Sequence, residues 1–162
     1  MSNILDMVND LKNLAISKKI VISTTESCTG GLISKYLTDL PGSSDFYDSS
    51  IIVYSNEAKI NLLNVSQKTI LEFGAVSKEV VEEMSKGLLE ITHSNVVIAV
   101  SGIMGPDDDD TDKDIGTLWV CIRSHDRVKS SKFCLTSNDR YINRDHAAEI
   151  AIKSLYDFIK QL

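Results

Sequence analysis

The chain is poor in proline, in paired cysteine and in basic charge, and each shortage closes off a class of protein. Two prolines, no repeat and no low-complexity stretch mean that nothing in the 162 residues marks a linker or a domain boundary. Three cysteines, Cys28, Cys121 and Cys134, are odd in number and form no C-x-x-C pair, so neither a disulfide framework nor a zinc knuckle is indicated. Lys and Arg number 17 against 23 Asp and Glu, a net charge of -6. That is the wrong sign for a broad phosphate-binding surface, and nucleic acid is not an expected partner. The first residues, Met1 to Val8, lack a basic start followed by an apolar segment, and no apolar run approaches the length of a bilayer span. A cytoplasmic protein with no membrane partner is expected.

What is there is ordinary globular material: 43% hydrophobic residues and a mean hydropathy of -0.04. One domain over residues 1–162 with its own core is expected. Ile4, Leu5, Val8, Leu11, Leu14 and Ala15 recur at helical spacing, and residues 20–25 then read as a buried strand. Gly30 and Gly31 open a second helix to about Leu37, closed off by Pro41-Gly42. The run from Ser49 to Tyr54 is strand-like, and Ser55 or Asn56 caps a helix carrying Ala58, Ile60, Leu62 and Leu63. A short helix from Ser66 ends at Gly74, and Ser77 caps another with the stripe Val80, Val81, Met84, Leu88 and Ile91.

Asn95 to Ser101 is apolar without alternation, the pattern of a central strand covered on both faces. A polar loop follows from Gly102 to Asp114. Residues 116–123 and 128–136 then read as an antiparallel pair joined at His125-Asp126. A final helix from about Asp139 buries Ala147, Ile150, Ala151, Leu155, Phe158 and Leu162. This order predicts an α/β fold, a three-layer α/β/α sandwich on a mixed β-sheet. Ligands in such sheets bind where loops leave the carboxyl ends of strands, here residues 26–31, 54–59 and 101–106.

The first of these loops, within Thr25-Glu26-Ser27-Cys28-Thr29-Gly30-Gly31, offers a hydroxyl beside unshielded N–H groups at a helix start, where an oxyanion would be stabilised. The same stretch also reads as a helix cap followed by a permissive turn, which is the commoner use of such residues. A serine nucleophile needs a base, and none of His93, His125 and His146 lies in a strand-exit loop. The second loop, Tyr54-Ser55-Asn56-Glu57-Ala58-Lys59, supplies one. Lys59 would serve if burial or a neighbouring cation lowered its pKa from the usual value of about 10.4. Cys28 is a rival nucleophile one residue from Ser27, with small-residue packing as its ordinary role.

These stretches, with Leu40-Pro41-Gly42-Ser43 onward to Val65, the run Phe73 to Gly87, Ser101 to Pro106 and Ile115 to Val120, occur together in one order. From about residue 3 to the last helix the chain resembles the C-terminal domain of the CinA (competence/damage-inducible) family, in its stand-alone form called PncC. The resemblance implies hydrolysis of nicotinamide mononucleotide to nicotinate mononucleotide and ammonia, within pyridine-nucleotide salvage. It implies Ser27 as nucleophile with Tyr54 and Lys59 as helpers, and no feature of the sequence requires a metal or organic cofactor for that chemistry. It further implies a substrate site from Glu26, Thr29, Gly30, Gly31, Asn56, Gly102 and Gly105, with backbone N–H groups at Thr29, Gly30 and Gly31 around the oxyanion. Arg140, with Arg144 as the other candidate, is implied at the substrate phosphate, and a dimer or larger homo-oligomer is suggested.

One segment departs from the family. Where a glycine-rich stretch is usual, Asp107 to Asp114 places six carboxylates in eight residues. Such a loop repels an anionic substrate unless it points away or holds a cation. Its spacing does not fit a calcium-binding loop, which wants alternating ligands, a glycine at the sixth position and a closing glutamate. A non-catalytic binding module, and an amidase for another small carboxamide, are therefore the alternative readings.

Overall fold

The computed structural model describes residues 3–162. Among the described residues six α-helices and five strands follow in the order α1 Ile4–Ser17, β1 Ile22–Glu26, α2 Leu32–Thr38, β2 Tyr47–Ile52, α3 Asn56–Leu63, α4 Gln67–Phe73, α5 Lys78–Ile91, β3 Val96–Gly102, β4 Thr117–Ser124, β5 Val128–Cys134 and α6 Arg140–Lys160. The sheet order is β2-β1-β3-β4-β5. β1 pairs in parallel with β2 and β3, and β4 runs antiparallel to both β3 and β5. The sheet is therefore mixed, and the helices cover it on both sides as an α/β/α sandwich.

The period-two alternation of β3 divides the core. Val96, Ile98 and Val100 point to the face covered by α1, α2 and α6, while Val97 and Ala99 point to the face covered by α3, α4 and α5. All five are buried, which explains why this strand shows no polar alternation. Local chemistry starts the helices where the residue types dictate. Ser55, Ser66 and Ser77 each accept a bond at their helix starts from the backbone N–H three residues on, and Asp139 caps α6 through Tyr141 N and Ile142 N. The choice between Ser55 and Asn56 is thus settled for Ser55.

Boundaries differ from expectation in small ways with physical causes. Ile20 belongs to the turn after α1, its N–H bonded to Ala15 O at 2.8 Å, so β1 starts at Ile22. Ile91, the last residue of α5, and Leu162, beyond the end of α6, are 52% and 48% exposed rather than buried. Among the described residues no helix is long and apolar enough to cross a membrane.

Candidate active site

The three strand exits meet at one end of the sheet. Ser27 N donates to Val100 O at 3.2 Å and Val53 N donates to Glu26 O at 2.9 Å, so pairing continues just beyond β1 on both sides. These bonds fix the Ser27 backbone to the end of β3 and the Val53 backbone to Glu26, the residue before the serine. The chain then turns through Tyr54 and Ser55 into α3, whose first turn carries Lys59 back over the gap.

Lys59 is 1% exposed, and its Nζ donates to Val53 O at 2.9 Å, Tyr54 O at 3.2 Å and Ser27 Oγ at 3.1 Å. All three partners are neutral oxygens, and no carboxylate lies within 4.0 Å of it among the described residues. Burial without a counter-charge disfavours the ammonium, and the pKa falls to about 8. An amine so held can direct two N–H groups at the carbonyls and its lone pair at the serine hydroxyl. Val53 O, with no side-chain signal at all, is a site group that residue patterns do not reveal.

Tyr54 takes a different place from the one expected. Its ring is 60% exposed, and its hydroxyl accepts from Arg140 Nη2 at 2.8 Å rather than meeting Ser27 or Lys59. Its contact with the lysine is made by the backbone carbonyl. Arg140 also donates through Nη1 to Gly105 O at 2.8 Å, which ties the loop after β3 to the loop after β2. Arg144, one turn further along α6, points back to the serine turn: Nε donates to Cys28 O at 3.2 Å and Nη2 to Thr29 O at 2.8 Å. It is therefore occupied by the turn. A Cβ on Gly30, whose φ is +59°, would stand 3.0 Å from Arg144 Nη2, so the glycine serves both the backbone angle and this clamp.

Glu26 faces inward, away from the cleft. Fully buried, its carboxylate accepts from Thr29 Oγ1 at 2.6 Å, Gly31 N at 2.9 Å, Ile33 N at 3.2 Å and Ser34 N at 2.9 Å. Strand alternation puts it on the same face as Thr24, under the start of α2, where a negative charge is compensated by helix N–H groups. The side chains of Glu26 and Thr29 are thus a helix anchor rather than groups that face the cleft. The amides of Gly30 and Gly31 are also taken, by Ser27 O and by Glu26. Cys28 N and Thr29 N have no protein acceptor among the described residues. The donors left for an oxyanion thus lie nearer the serine than the glycine pair suggested.

A cavity of about 240 Å³ opens over these groups, lined by Ser27, Tyr54, Asn56, Lys59, Gly102 and Arg140. Gly105 contributes only its carbonyl, to Arg140. At Gly102 a Cβ would come within 2.6 Å of Met104 Cε and 2.8 Å of Thr117 O, so the cleft floor admits no side chain there. Cys28 also borders the cavity, but it is 4% exposed and burial pushes its pKa up to about 12, which makes thiolate formation unfavourable. The acidic loop does not point away: Asp107, Asp108 and Asp109 line the same cavity. Among the described residues no three His, Cys, Asp or Glu side chains converge as a metal site. Residue patterns also missed Asn143, fully buried, whose Nδ2 bonds Met104 O at 3.1 Å and Ser137 O at 2.9 Å and fixes the cleft wall to α6.

Comparison with known proteins agrees with this architecture. A nicotinamide-nucleotide amidohydrolase PncC from Enterobacter agglomerans is 43% identical over 141 residues, covering 86% of this chain and 85% of its own length. A CinA-like protein from Fervidobacterium nodosum is 41% identical over 150 residues, 93% of this chain but only 36% of that protein. The chain thus spans about a third of the length of such CinA-like relatives. The crystal structure of a competence-damaged protein (CinA) superfamily protein from Klebsiella pneumoniae superposes with a TM-score of 0.96 at 27% identity, over 99% of this chain and 100% of that one. Residues 5–159 match the model of the CinA C-terminal domain, and the chain belongs to that family.

Proposed function

We propose that the protein is an amidohydrolase that converts nicotinamide mononucleotide and water to nicotinate mononucleotide and ammonia. The observation that carries this reading is Lys59 Nζ, buried, with no carboxylate within 4.0 Å among the described residues, and 3.1 Å from Ser27 Oγ. The similarity to a PncC-named amidohydrolase supports the choice of substrate.

In the proposed reaction, neutral Lys59 takes the Ser27 proton as Oγ bonds to the carboxamide carbon. The N–H groups of Cys28 and Thr29 stabilise the oxyanion. Lys59 then gives the proton to the amide nitrogen, the C–N bond breaks and ammonia leaves. Water, deprotonated by the same amine, attacks the ester carbon; the C–Oγ bond breaks as Lys59 returns that proton to Oγ, restoring Ser27 and the neutral amine, and the released acid loses its own proton to solvent. Tyr54 contributes its carbonyl to the lysine and its hydroxyl to the placing of Arg140. That guanidinium, at the cleft edge, is proposed to take the substrate phosphate. The reading also carries the expectation of a homo-oligomer, to which size-exclusion chromatography with light scattering speaks directly.

Release of ammonia and nicotinate mononucleotide by the purified protein, beside Ser27→Ala, tests the proposal. Turnover abolished in a folded variant supports it, and near-normal turnover overturns it. Asp107, Asp108 and Asp109 on the cleft wall favour one second reading, an amidase for another carboxamide using the same Ser27 and Lys59. Binding without hydrolysis would instead select a non-catalytic member of the family.

A further inference from the structure

At about 240 Å³ the Ser27 cavity is smaller than the roughly 300–1,000 Å³ that pockets for small-molecule ligands span. A second cavity of about 540 Å³ adjoins it, and Asn56, Ala75 and Asp109 line both. The segment after Pro106 borders the two: Asp107 and Asp108 line the first, and Thr111, Asp112 and Lys113 line the second.

That segment is fastened at its ends and at one point between them. At the ends, Arg140 holds Gly105 O, and Gly116 N donates to Ile103 O at 2.7 Å. From 106 to 113 no backbone–backbone hydrogen bond is made among the described residues, and the bonds of Asp108 to Asp110 and of Asp109 to Thr111 stay within the segment. Lys113 alone reaches out of it, its Nζ donating to Phe73 O and Val76 O, each at 2.6 Å. Phe73 closes α4, so the ammonium sits at the negative end of that helix. A Cβ on Gly74 would stand 2.8 Å from Nζ, so the glycine leaves room for the lysine. The seat is held from the other side, where Ser101 Oγ donates to Ala75 O at 2.9 Å. A fixed seat and a thinly bonded segment decide which part moves.

We infer that residues 106–113 form a strap along the cleft, which Lys113 latches to the end of α4 and whose lifting opens the Ser27 cavity into its neighbour for ligand exchange. The latch stands on its own contacts, and its use as a gate rests on the reaction proposed at Ser27. Two charge-assisted bonds keep the strap down, and breaking them leaves the sheet and its helices intact.

The first measurement uses the full chain without ligand and a protease that cuts before aspartate, for which Asp107 to Asp112 supply the sites. Lys113→Met keeps the length of the side chain and removes its donors. It is expected to speed cleavage in the strap about tenfold or more, with the urea midpoint of the intact chain unchanged. An unchanged cleavage rate overturns the latch. The second measurement mixes nicotinamide mononucleotide with the chain carrying Ser27→Ala, with Lys113 kept or changed to Met, and follows binding by stopped flow. Association and dissociation are expected to quicken by the same factor, about tenfold, with Kd within about twofold, because a gate changes passage both ways. Faster dissociation alone would make Lys113 a wall of the site and overturn the gate.

The two proposals fail separately. No binding or turnover of the mononucleotide, with strap cleavage still quickened by Lys113→Met, removes the reaction and leaves the latch standing. Turnover by the wild-type protein with no effect of Lys113→Met in either measurement does the reverse.

Discussion

The turn after β1 and the loop after β3 border one cleft, yet they are built in opposite ways. In the turn the polar groups have fixed partners: the Glu26 carboxylate has four donors in the turn and the start of α2, and the carbonyls of Cys28 and Thr29 have Arg144. In the loop most carboxylates are exposed, and the long-range anchor is Lys113, whose Nζ donates to Phe73 O and Val76 O, each at 2.6 Å. The turn works by position, where a fraction of an ångström matters. The loop works by charge, which reaches further but is screened. Substitutions in the first should change turnover with little sensitivity to salt, and substitutions in the second should change affinity with strong sensitivity.

The contrast breaks most sharply at the turn. Ser27→Ala and Lys59→Met are each expected to reduce ammonia release by more than about 1,000-fold, and the double variant to be little worse than the poorer single one, because the two act as a unit. Glu26→Ala leaves buried donors without an acceptor and is expected to cost about 3 kcal/mol of stability, a factor of about 150 in the folding equilibrium, read by urea denaturation. Arg144→Ala should lower kcat by about 10- to 100-fold with KM little changed, since it frees the turn without touching the far end of the substrate. Arg140→Ala should act chiefly on KM, and a reversed pattern would exchange the two roles.

Acidity tests the same lysine without mutation. Its neutral form is the working base and its pKa is held near 8 by burial. Activity should therefore fall about tenfold per pH unit below that value and level off above it, in a kcat profile from pH 6 to 9.5. The smallest effect belongs to the loop: raising salt from about 50 to about 300 mM should shift KM a few-fold and leave kcat unchanged. A salt-sensitive kcat would erase the distinction between the two regions.

Much of this molecule is legible in its residues. The unbroken apolar run at Val96 to Val100 marks the central strand because both its faces are covered, and serines mark helix starts because their hydroxyls satisfy free N–H groups. Ser27 and Lys59 are legible as a conjunction across two strand exits. What stays hidden has a common cause. In a strand buried on both faces, alternation does not announce which side chain turns toward a ligand, so Glu26 reads as a cleft residue although it lies beneath α2. Backbone groups such as Val53 O carry no residue signature. Arg140 and Arg144 differ in destination only because a helix turn separates them, one reaching Tyr54 and the other the serine turn.

The clamp from Arg144 to Thr29 spans 115 positions of the chain. During synthesis the ribosome releases Ser27 and Lys59 long before Arg144 exists. The helix that carries Arg144 is thus made after both, and the fastening of the turn from that side waits for α6.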